Sequence, residues 1–490
     1  MTIEPIGYVV LLLGALSVVY GARFAIGTLC LSTLFGAAAA LQLPALGGGS
    51  IQPSHLLVLF FVASALLRPV ETQAALSSIA YPSPGFWFAV YILFSAVSAF
   101  FLPRIFAGAT LVYSSARDAS GTMSTVASPL APGSSNFTQA VYLLGDLACF
   151  AVVSGLGRLG HARLIARSLI VTAMACLVLA LLDIGAFMTD QAELLDFIRN
   201  ANYTMHTAET ISGFKRIVGS FPEASSYGSA ALVFFSFTLL LWLERFPSRL
   251  TGLATLSIGT TIILCTSTTA YIAGLFVLGL VILFSLKRLH SGRATAPYAT
   301  FLVVTLFMVP CMIVALMLIP DAWNSVTDLT SITFADKLQS QSGEERTAWN
   351  TLALVSFVET ATFGAGLGTV RASSFIAALL SNVGLSGTVL FAVFLYSLLT
   401  AAGRQKSGAL ENRSIGVAAV LASIAQIASA TISGSSTDLG LLFSITAGLA
   451  TGCLAGGPYV LPQRAARFLA SPHPLEASES LMRTPMVLVR

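Results

Sequence analysis

The sequence predicts an all-α polytopic membrane protein with about twelve to thirteen transmembrane helices and a large outer loop. Three observations carry that expectation. First, the chain is 56% hydrophobic and only 9% charged over 490 residues, whereas soluble domains carry roughly 25% charged residues. Second, apolar windows recur along most of the chain, many of them near the roughly 17–25 residues that cross a bilayer. Third, the runs at 232–243 and 301–318 are almost continuously apolar, while barrel strands alternate apolar and polar residues. A segment that satisfies its own backbone in lipid is a helix.

The windows fall near 6–20, 24–42, 54–67, 85–102, 138–156, 164–186, 226–243, 250–266, 268–286, 299–319, 376–401, 414–433 and 437–456. The first and third are short, which sets the count at twelve or thirteen. Trp87, Trp242, Trp323 and Trp349 stand at or beyond window ends, where amphipathic rings favour the interface. Residues 1–460 therefore read as one membrane domain. Residues 461–490 carry Pro462, Pro472, Pro474 and Pro485 without periodicity and read as a flexible cytoplasmic tail. The first apolar run lacks a basic leader and a cleavage site, so it reads as a retained span.

Basic residues orient the chain. Arg158, Arg163 and Arg167, then Arg245 and Arg249, then Lys287, Arg288 and Arg293, then Arg404, Lys406 and Arg413, then Arg464 and Arg467 occupy alternate connections. These are expected in the cytoplasm. The opposite set is then outside: the Ser/Gly/Pro-rich segment 107–139, the loop 187–225 and the long segment 321–375. The orientation of the amino terminus stays open. Within the last segment, 348–359 has helical apolar spacing broken at Gly364, suited to a lid on the membrane surface.

Several function classes are excluded or left without support. Net charge is +4, and no basic tract interleaved with aromatics points to nucleic acid. The six cysteines lie in or beside apolar runs without metal-ligand spacing and read as small buried hydrophobes. The outer loops hold no HExxH or clustered carboxylates, so neither a metal nor a cofactor is expected. There is no Walker motif. Gly155-Leu156-Gly157-Arg158-Leu159-Gly160 matches GxGxxG but follows a helix rather than a strand, and reads as a helix stop.

The chemistry is expected in the two outer breaks that set arginines beside glycines. One is Phe214-Lys215-Arg216-Ile217-Val218-Gly219-Ser220-Phe221-Pro222-Glu223. The other contains Gly343-Glu344-Glu345-Arg346 and Gly364-Ala365-Gly366-Leu367-Gly368-Thr369-Val370-Arg371. Guanidinium groups outside suit a multiply charged anion such as a diphosphate. Gly366 and Gly368 either let backbone and Arg371 approach one anion together or form a plain turn. Arg216, beside Gly219, is either an anion ligand or an interfacial anchor. Arg346 is either a third ligand or an ion-pair partner of Glu344 or Glu345. Glu223 either takes a proton from an attacking hydroxyl or caps the helix that follows.

Other polar residues have plain readings beside functional ones. Asp146 lies inside a membrane window and faces either a cavity or a helix–helix hydrogen bond. His206 reads as a solvated loop histidine. The 267–271 stretch reads as close helix packing. Asn136-Phe137-Thr138 fits a glycosylation sequon, a pattern of little weight alone.

These loops resemble the O-antigen ligase and polymerase superfamily of bacterial membrane glycosyltransferases. In the ligases a histidine followed by Asn, Ser or Gln stands nine residues ahead of Gly-x-x-Gly-Thr/Val. Here Ser373-Ser374, nine residues, then Gly384-Leu385-Ser386-Gly387-Thr388 reproduce that spacing, with serine at 373 in place of the histidine. The 364–374 stretch with Ser381-Asn382-Val383-Gly384, the 216–225 stretch, and Ser128–Pro132 with Asn136–Gln139 are more similar to the exopolysaccharide polymerase branch. The resemblance covers roughly 90–455 in layout through few matching residues.

The resemblance implies a lipid-linked-sugar glycosyltransferase fold of GT-C-like type in the bacterial cytoplasmic (inner) membrane. It implies undecaprenyl-diphosphate-linked oligosaccharide as substrate, a metal-independent inverting transfer at the outer face, and partners that set chain length or export polymer. Arg216 and Arg371 are the implied diphosphate ligands, Arg346 the third, with Gly219, Gly366, Gly368, Ser373 and Ser374 beside them. Glu223 stands in for the missing base. Polysaccharide polymerase is the first expectation. A ligase passing glycan to a lipid or protein acceptor, a transporter or flippase for lipid-linked glycan, and a structural partner in an export complex are the alternatives. The transporter reading expects inverted repeats and midplane helix breaks, which the sequence does not display.

Overall fold

The computed structural model describes residues 2–43, 49–117, 123–202, 205–211, 214–292, 294–318, 341–404 and 410–454. The predicted tail 461–490 and the 321–340 part of the long outer segment lie outside the described residues.

The helical architecture follows the apolar windows. In chain order the helices are α1 (Pro5–Tyr20), α2 (Ala22–Ser32), α3 (Pro53–Leu66), α4 (Pro69–Ser78), α5 (Pro84–Ile105), α6 (Ser134–Leu156), α7 (Ala162–Met188), α8 (Ala224–Leu243), α9 (Leu250–Leu264) and α10 (Thr268–His290). Then come α11 (Ala296–Val303), α12 (Val309–Met317), α13 (Gln341–Glu359), α14 (Phe375–Arg404), α15 (Leu410–Ser433) and α16 (Leu441–Leu454). Prolines at the first turns of α1, α3, α4, α5 and α11 sit where no intrahelical N–H bond is needed.

Membrane-crossing length is shown for fewer helices than the sequence suggested. Among the described residues six helical runs are long and apolar enough to cross, or seven if the bent pair α3–α4 is one span. One of the six, Ser134–Met188, is 55 residues long. At ~1.5 Å per residue it would reach roughly 80 Å, against a ~30 Å hydrocarbon core. It breaks at Gly160, whose φ of 91° leaves the helical region, so α6 and α7 are separate segments. The expected count of twelve to thirteen is therefore not reached by length. Several windows fold into apolar helices of 10–17 residues. The clearest shortfall is 24–42, where the helix ends at Ser32 and residues 41–43 turn back as a strand.

Three small sheets were not anticipated. β1 (Thr2–Ile3), β2 (Leu41–Leu43) and β3 (Gly49–Ile51) form an antiparallel sheet beneath the start of α3. β4 (Leu111–Arg117) and β5 (Met123–Pro129) form an antiparallel hairpin within 107–139, pairing Tyr113 with Ala127. β6 (Thr210–Ile211) and β7 (Phe214–Lys215) form a two-residue pair just before Arg216.

α8 is the central helix: 78% of its apolar window is buried, against 33–50% for the other five long runs. It packs against α7, α9, α10 and α15. A second knot joins Phe88 and Tyr91 of α5, Phe150 of α6, Phe391 and Phe394 of α14 and Phe443 of α16, with ring centroids 4.7–6.4 Å apart.

The connections segregate as the basic residues predict. Arg163 after α6 pairs with Glu411 at the start of α15 at 2.5 Å. Glu244 after α8 pairs with Arg288 of α10 and accepts bonds from Tyr298 of α11 at 2.7 Å and Ser414 of α15 at 3.2 Å. These connections share one end of the bundle. At the other end, Ala37 bonds to Ser220, Asn200 reaches Glu4, and Arg216 reaches the Thr266 carbonyl between α9 and α10. The described amino terminus therefore lies at the same end as the outer loops, which the sequence left open.

The GxGxxG match is structural, as expected. A Cβ on Gly155 would meet Ala75 N at 2.6 Å, and one on Gly157 would meet Gly452 Cα at 3.2 Å. Both glycines serve close helix packing.

Candidate functional site

The loop carrying Arg216 is built on a buried charge. Asp183 stands near the outer end of α7, 2% exposed. Its Oδ2 accepts the backbone N–H groups of Val218 at 2.8 Å and Gly219 at 3.1 Å. Its Oδ1 accepts from Arg199 Nη2 at 2.6 Å and lies 3.5 Å from Lys215 Nζ. Arg199 Nε also donates to the Gly219 carbonyl at 3.1 Å. Gly219 has φ of 59°, a conformation that glycine adopts without penalty. One carboxylate thus fixes the turn and holds two cations beneath it. Gly219 shapes that turn rather than offering a spare amide, since its N–H and C=O are both engaged.

Arg216 projects from this turn with its side chain 13% exposed. It pairs with Glu209, and Nη2 lies 3.5 Å from the Thr266 carbonyl. Its Nε is buried and meets no hydrogen-bond partner among the described residues. Glu209 also faces His206 Nδ1 at 2.9 Å. His206 is 52% exposed, as a solvated loop histidine would be, and also ends a His206–Glu209–Arg216 chain.

Lys215 was quoted in the motif but not chosen. Its side chain is 7% exposed and its Nζ lies 5.7 Å from the Phe187 ring centroid. Burial pushes its pKa below the ordinary 10.5, while Asp183 pulls it back up. With Ile217, Thr266 and Tyr271 it lines an apolar cavity of about 1520 Å³ that runs down among α7–α11.

The second loop is a tight knot. Gly364, Gly366 and Gly368 have φ of 85°, 100° and 77°. Each also lies where a side chain would collide: a Cβ would meet Gly384 N at 2.6 Å, Pro103 Cδ at 2.4 Å and Ser135 O at 2.8 Å respectively. α14 breaks at Gly384 (φ 65°, ψ −168°), leaving a half-helix, 375–383, folded against the loop. Asn382 on that half-helix is the staple. Its Oδ1 accepts Thr369 N at 3.0 Å and Val370 N at 3.1 Å, and its Nδ2 donates to Val370 O and Ala378 O, both at 2.9 Å. Asn136 on α6 adds bonds to Leu367 O at 2.6 Å and Thr369 Oγ1 at 2.8 Å. Asn136 is buried, so the apparent sequon is part of this packing.

This arrangement corrects the picture of a backbone phosphate cradle. The amides of Ala365, Gly366, Thr369, Val370 and Arg371 all bond to protein acceptors, the last to Tyr113 O of β4 at 2.8 Å. Gly366 and Gly368 give the loop its shape, and the loop aims Arg371. The Arg371 guanidinium lies 4.9 Å from the Trp349 ring centroid on α13. Burial lowers its pKa, and the charge of Glu223 opposes that shift.

Glu223 thus lies within electrostatic reach of Arg371, without forming an ion pair with it. Glu223 occupies the N-cap position of α8, but its side chain makes no capping bond. Its Oε1 accepts instead from the Ser225 hydroxyl. The capping alternative is therefore not the one realised.

Ser373 is buried, and its N–H donates to Asn350 Oδ1 at 2.7 Å. The Ser374 carbonyl accepts Ala378 N in the first turn of the half-helix. Arg346 lies half-buried in the first turns of α13. The same helix and Tyr113 enclose a depression of about 630 Å³ lined by Glu344, Thr347 and Thr351.

The structure therefore sets Glu223 within electrostatic reach of Arg371, and Arg216 in the loop that ends at Glu223. It does not place Arg216 and Arg371 on one described cavity. The chain matches no protein-family model, and no curated protein matches it.

Asp183, Arg199, Lys215, Glu209 and Asn382 went unnoticed as site builders. The signal for Asp183 was present: a carboxylate inside the apolar window 164–186, the same signal that drew attention to Asp146. Among the described residues no cluster of three or more His, Cys, Asp or Glu side chains is arranged to hold a metal ion.

Proposed function

We propose that the protein is a membrane glycosyltransferase, of the polysaccharide polymerase kind, acting on glycans carried by a polyprenyl diphosphate at the outer end of the bundle. The observation that carries this reading is the placement of Glu223 within electrostatic reach of Arg371, the two standing on loops distant in sequence. Lys215, beside Arg216 in one of those loops, stands on the wall of a long apolar cavity. An anionic head group with an apolar tail has complementary features: cations above, an apolar trough below.

The chemistry balances as a displacement. The acceptor hydroxyl oxygen bonds to the anomeric carbon while the bond from that carbon to the diphosphate oxygen breaks. Glu223 takes the hydroxyl proton. Negative charge grows on the departing diphosphate, and Arg371, Arg216 and Lys215 stabilise it more in the transition state than before. Attack opposite the leaving group inverts the anomeric centre. Because the loop amides are already bonded within the protein, recognition falls to the guanidinium and ammonium groups. The depression beside Tyr113 gives the sugar a surface with an aromatic ring and hydroxyl groups.

The test is replacement of Arg371 by Ala and by Lys in cells that make the polymer, with expression confirmed and lipid-linked glycans analysed. Single repeat units accumulating outside support polymerisation. Units trapped inside mean a flippase, and long chains left on the lipid mean a ligase. Unchanged polymer from Arg371→Ala overturns the assignment.

A further inference from the structure

One polar cluster has no part in that chemistry. Asp146, 2% exposed in α6, has its carboxyl close to the Asp438 carboxyl. Asp438 lies in the link between α15 and α16, held by Gly440 N on its Oδ1 at 2.6 Å and by its own N–H on Ser436 Oγ at 3.1 Å. His55, in the first turn of α3, lies within electrostatic reach of Asp438 and stacks on Tyr142 at 4.4 Å. Both ring nitrogens of His55 and Oδ1 of Asp146 are buried and meet no hydrogen-bond partner among the described residues.

A charge on Asp146, buried beside a second carboxyl group, is costly, so this position favours a bound proton. The negative charge that remains falls on Asp438, partly buried in the link between α15 and α16. A second proton on His55 makes the cluster neutral. The other titratable groups facing it are Tyr91 of α5, Tyr142 and Cys149 of α6, which are uncharged near neutral pH. They do not compensate the charge.

The cluster is tied to the glycine loop. Ser436, which anchors Asp438, donates to Gln139 Oε1 at 2.9 Å. A Cβ on Gly368 would meet Gln139 Cγ at 3.0 Å, so the same side chain supports the loop that aims Arg371. Tyr91 donates to the Thr437 carbonyl at 3.4 Å, fixing the link from the opposite side.

We propose that Asp146, Asp438 and His55 form a proton-binding site within the bundle, and that Gln139 transmits its charge state to the loop carrying Arg371. This holds whether or not the outer site transfers glycans. The ligand is the proton. Its arrival or departure changes the charge beside Asp438, shifts Ser436 and Gln139, and moves the support of Gly368.

Infrared spectroscopy of the purified full chain tests the first half. A protonated carboxyl band at about pH 7, where exposed carboxyls are ionised, is expected in the native protein, and it is lost in the Asp146→Asn, Asp438→Asn double variant. Absence of that band from the native protein overturns the site, as does a band that disappears with sodium at constant pH, which means a metal cation is the ligand. Trp349, against the Arg371 guanidinium, reports the second half. In a protein with Trp87, Trp242 and Trp323 replaced by Phe, its emission is expected to titrate on the acid side of neutrality. The double Asn variant, which keeps His206, is expected to flatten that titration. Gln139→Leu is expected to flatten it while keeping the carboxyl band. An unchanged titration in Gln139→Leu overturns the link.

Discussion

Asp183 holds Arg199 at 2.6 Å beneath the turn that presents Arg216. The flanking strands β6 and β7 are only two residues each, so the turn relies on this anchor together with the bonds of Ser220 to Ala37 and Leu34. Removing one partner of a buried pair costs ~3–5 kcal/mol by leaving the other charge uncompensated. Asp183→Ala is expected to lose about that much. Thermal unfolding of the detergent-solubilised protein measures it, and a melting temperature equal to the native one refutes the anchoring role.

Asn382 makes four short bonds to one loop and its own half-helix. Asn382→Leu keeps much of the volume and leaves the Thr369 and Val370 amides buried without acceptors, each costing ~1–3 kcal/mol. A clear loss of stability is expected, together with loss of the Trp349–Arg371 contact seen as altered tryptophan emission. Native emission with native stability contradicts the staple.

Gly366 combines a φ of 100° with a Cβ position 2.4 Å from Pro103. Gly366→Ala is expected to destabilise by more than the ~1–3 kcal/mol of backbone strain alone, because Pro103 is part of α5 and does not yield. Gly108→Ala is the control for positive φ without collision, since nothing lies near its Cβ position. Equal effects of the two substitutions would show that the collision contributes nothing.

Arg371 and Glu223 were legible as two candidates, not as groups within electrostatic reach of each other. Arginine beside glycine in an outer break marked each loop, yet their meeting depends on the Gly384 break and on Asn382, which pattern alone does not express. The helix windows were legible because continuous apolar runs have one solution in lipid. Crossing length was less so: a window reports hydrophobicity, and residues 33–43 spend theirs on a turn and a strand. The β4–β5 hairpin was hidden in a segment rich in serine, whose alternation lacks strong apolar residues. Gly366 was legible as special, with cradle and plain turn left open, since a glycine that opens space for a ligand and one that lets two backbones touch look the same in sequence.

Lys215 gives the pH dependence its direction. Burial lowers its pKa below 10.5, so it sheds its proton while exposed lysines still hold theirs. For stability the sign is positive: between the lowered value and 10.5 the unfolded chain binds more protons, so this group adds stability as pH rises. For anion binding the sign is negative, because the ammonium is lost over the same range. Affinity for a polyprenyl diphosphate is expected to fall on the alkaline side below 10.5. In Lys215→Arg the fall is expected to disappear. Affinity that stays flat in the native protein rejects Lys215 as a ligand.

Glu223→Gln keeps the shape and the Ser225 contact while removing the proton acceptor. A general base is typically worth ~10²–10⁴-fold in rate. Turnover of a lipid-linked glycan is expected to fall by that order with substrate affinity retained. Loss of binding with an intact rate per bound molecule would assign Glu223 to positioning Arg371 instead.

Residues 360–385 are cross-bonded within the segment, through Ala365 to Ser381, Gly366 to Asn382, and Leu385 back to Thr362. The segment is therefore a plate rather than a string. Whatever pushes on one corner of it displaces Arg371 as well, with Gly384 as the pivot, so a signal reaching this plate needs no path of side chains to travel the rest of the way.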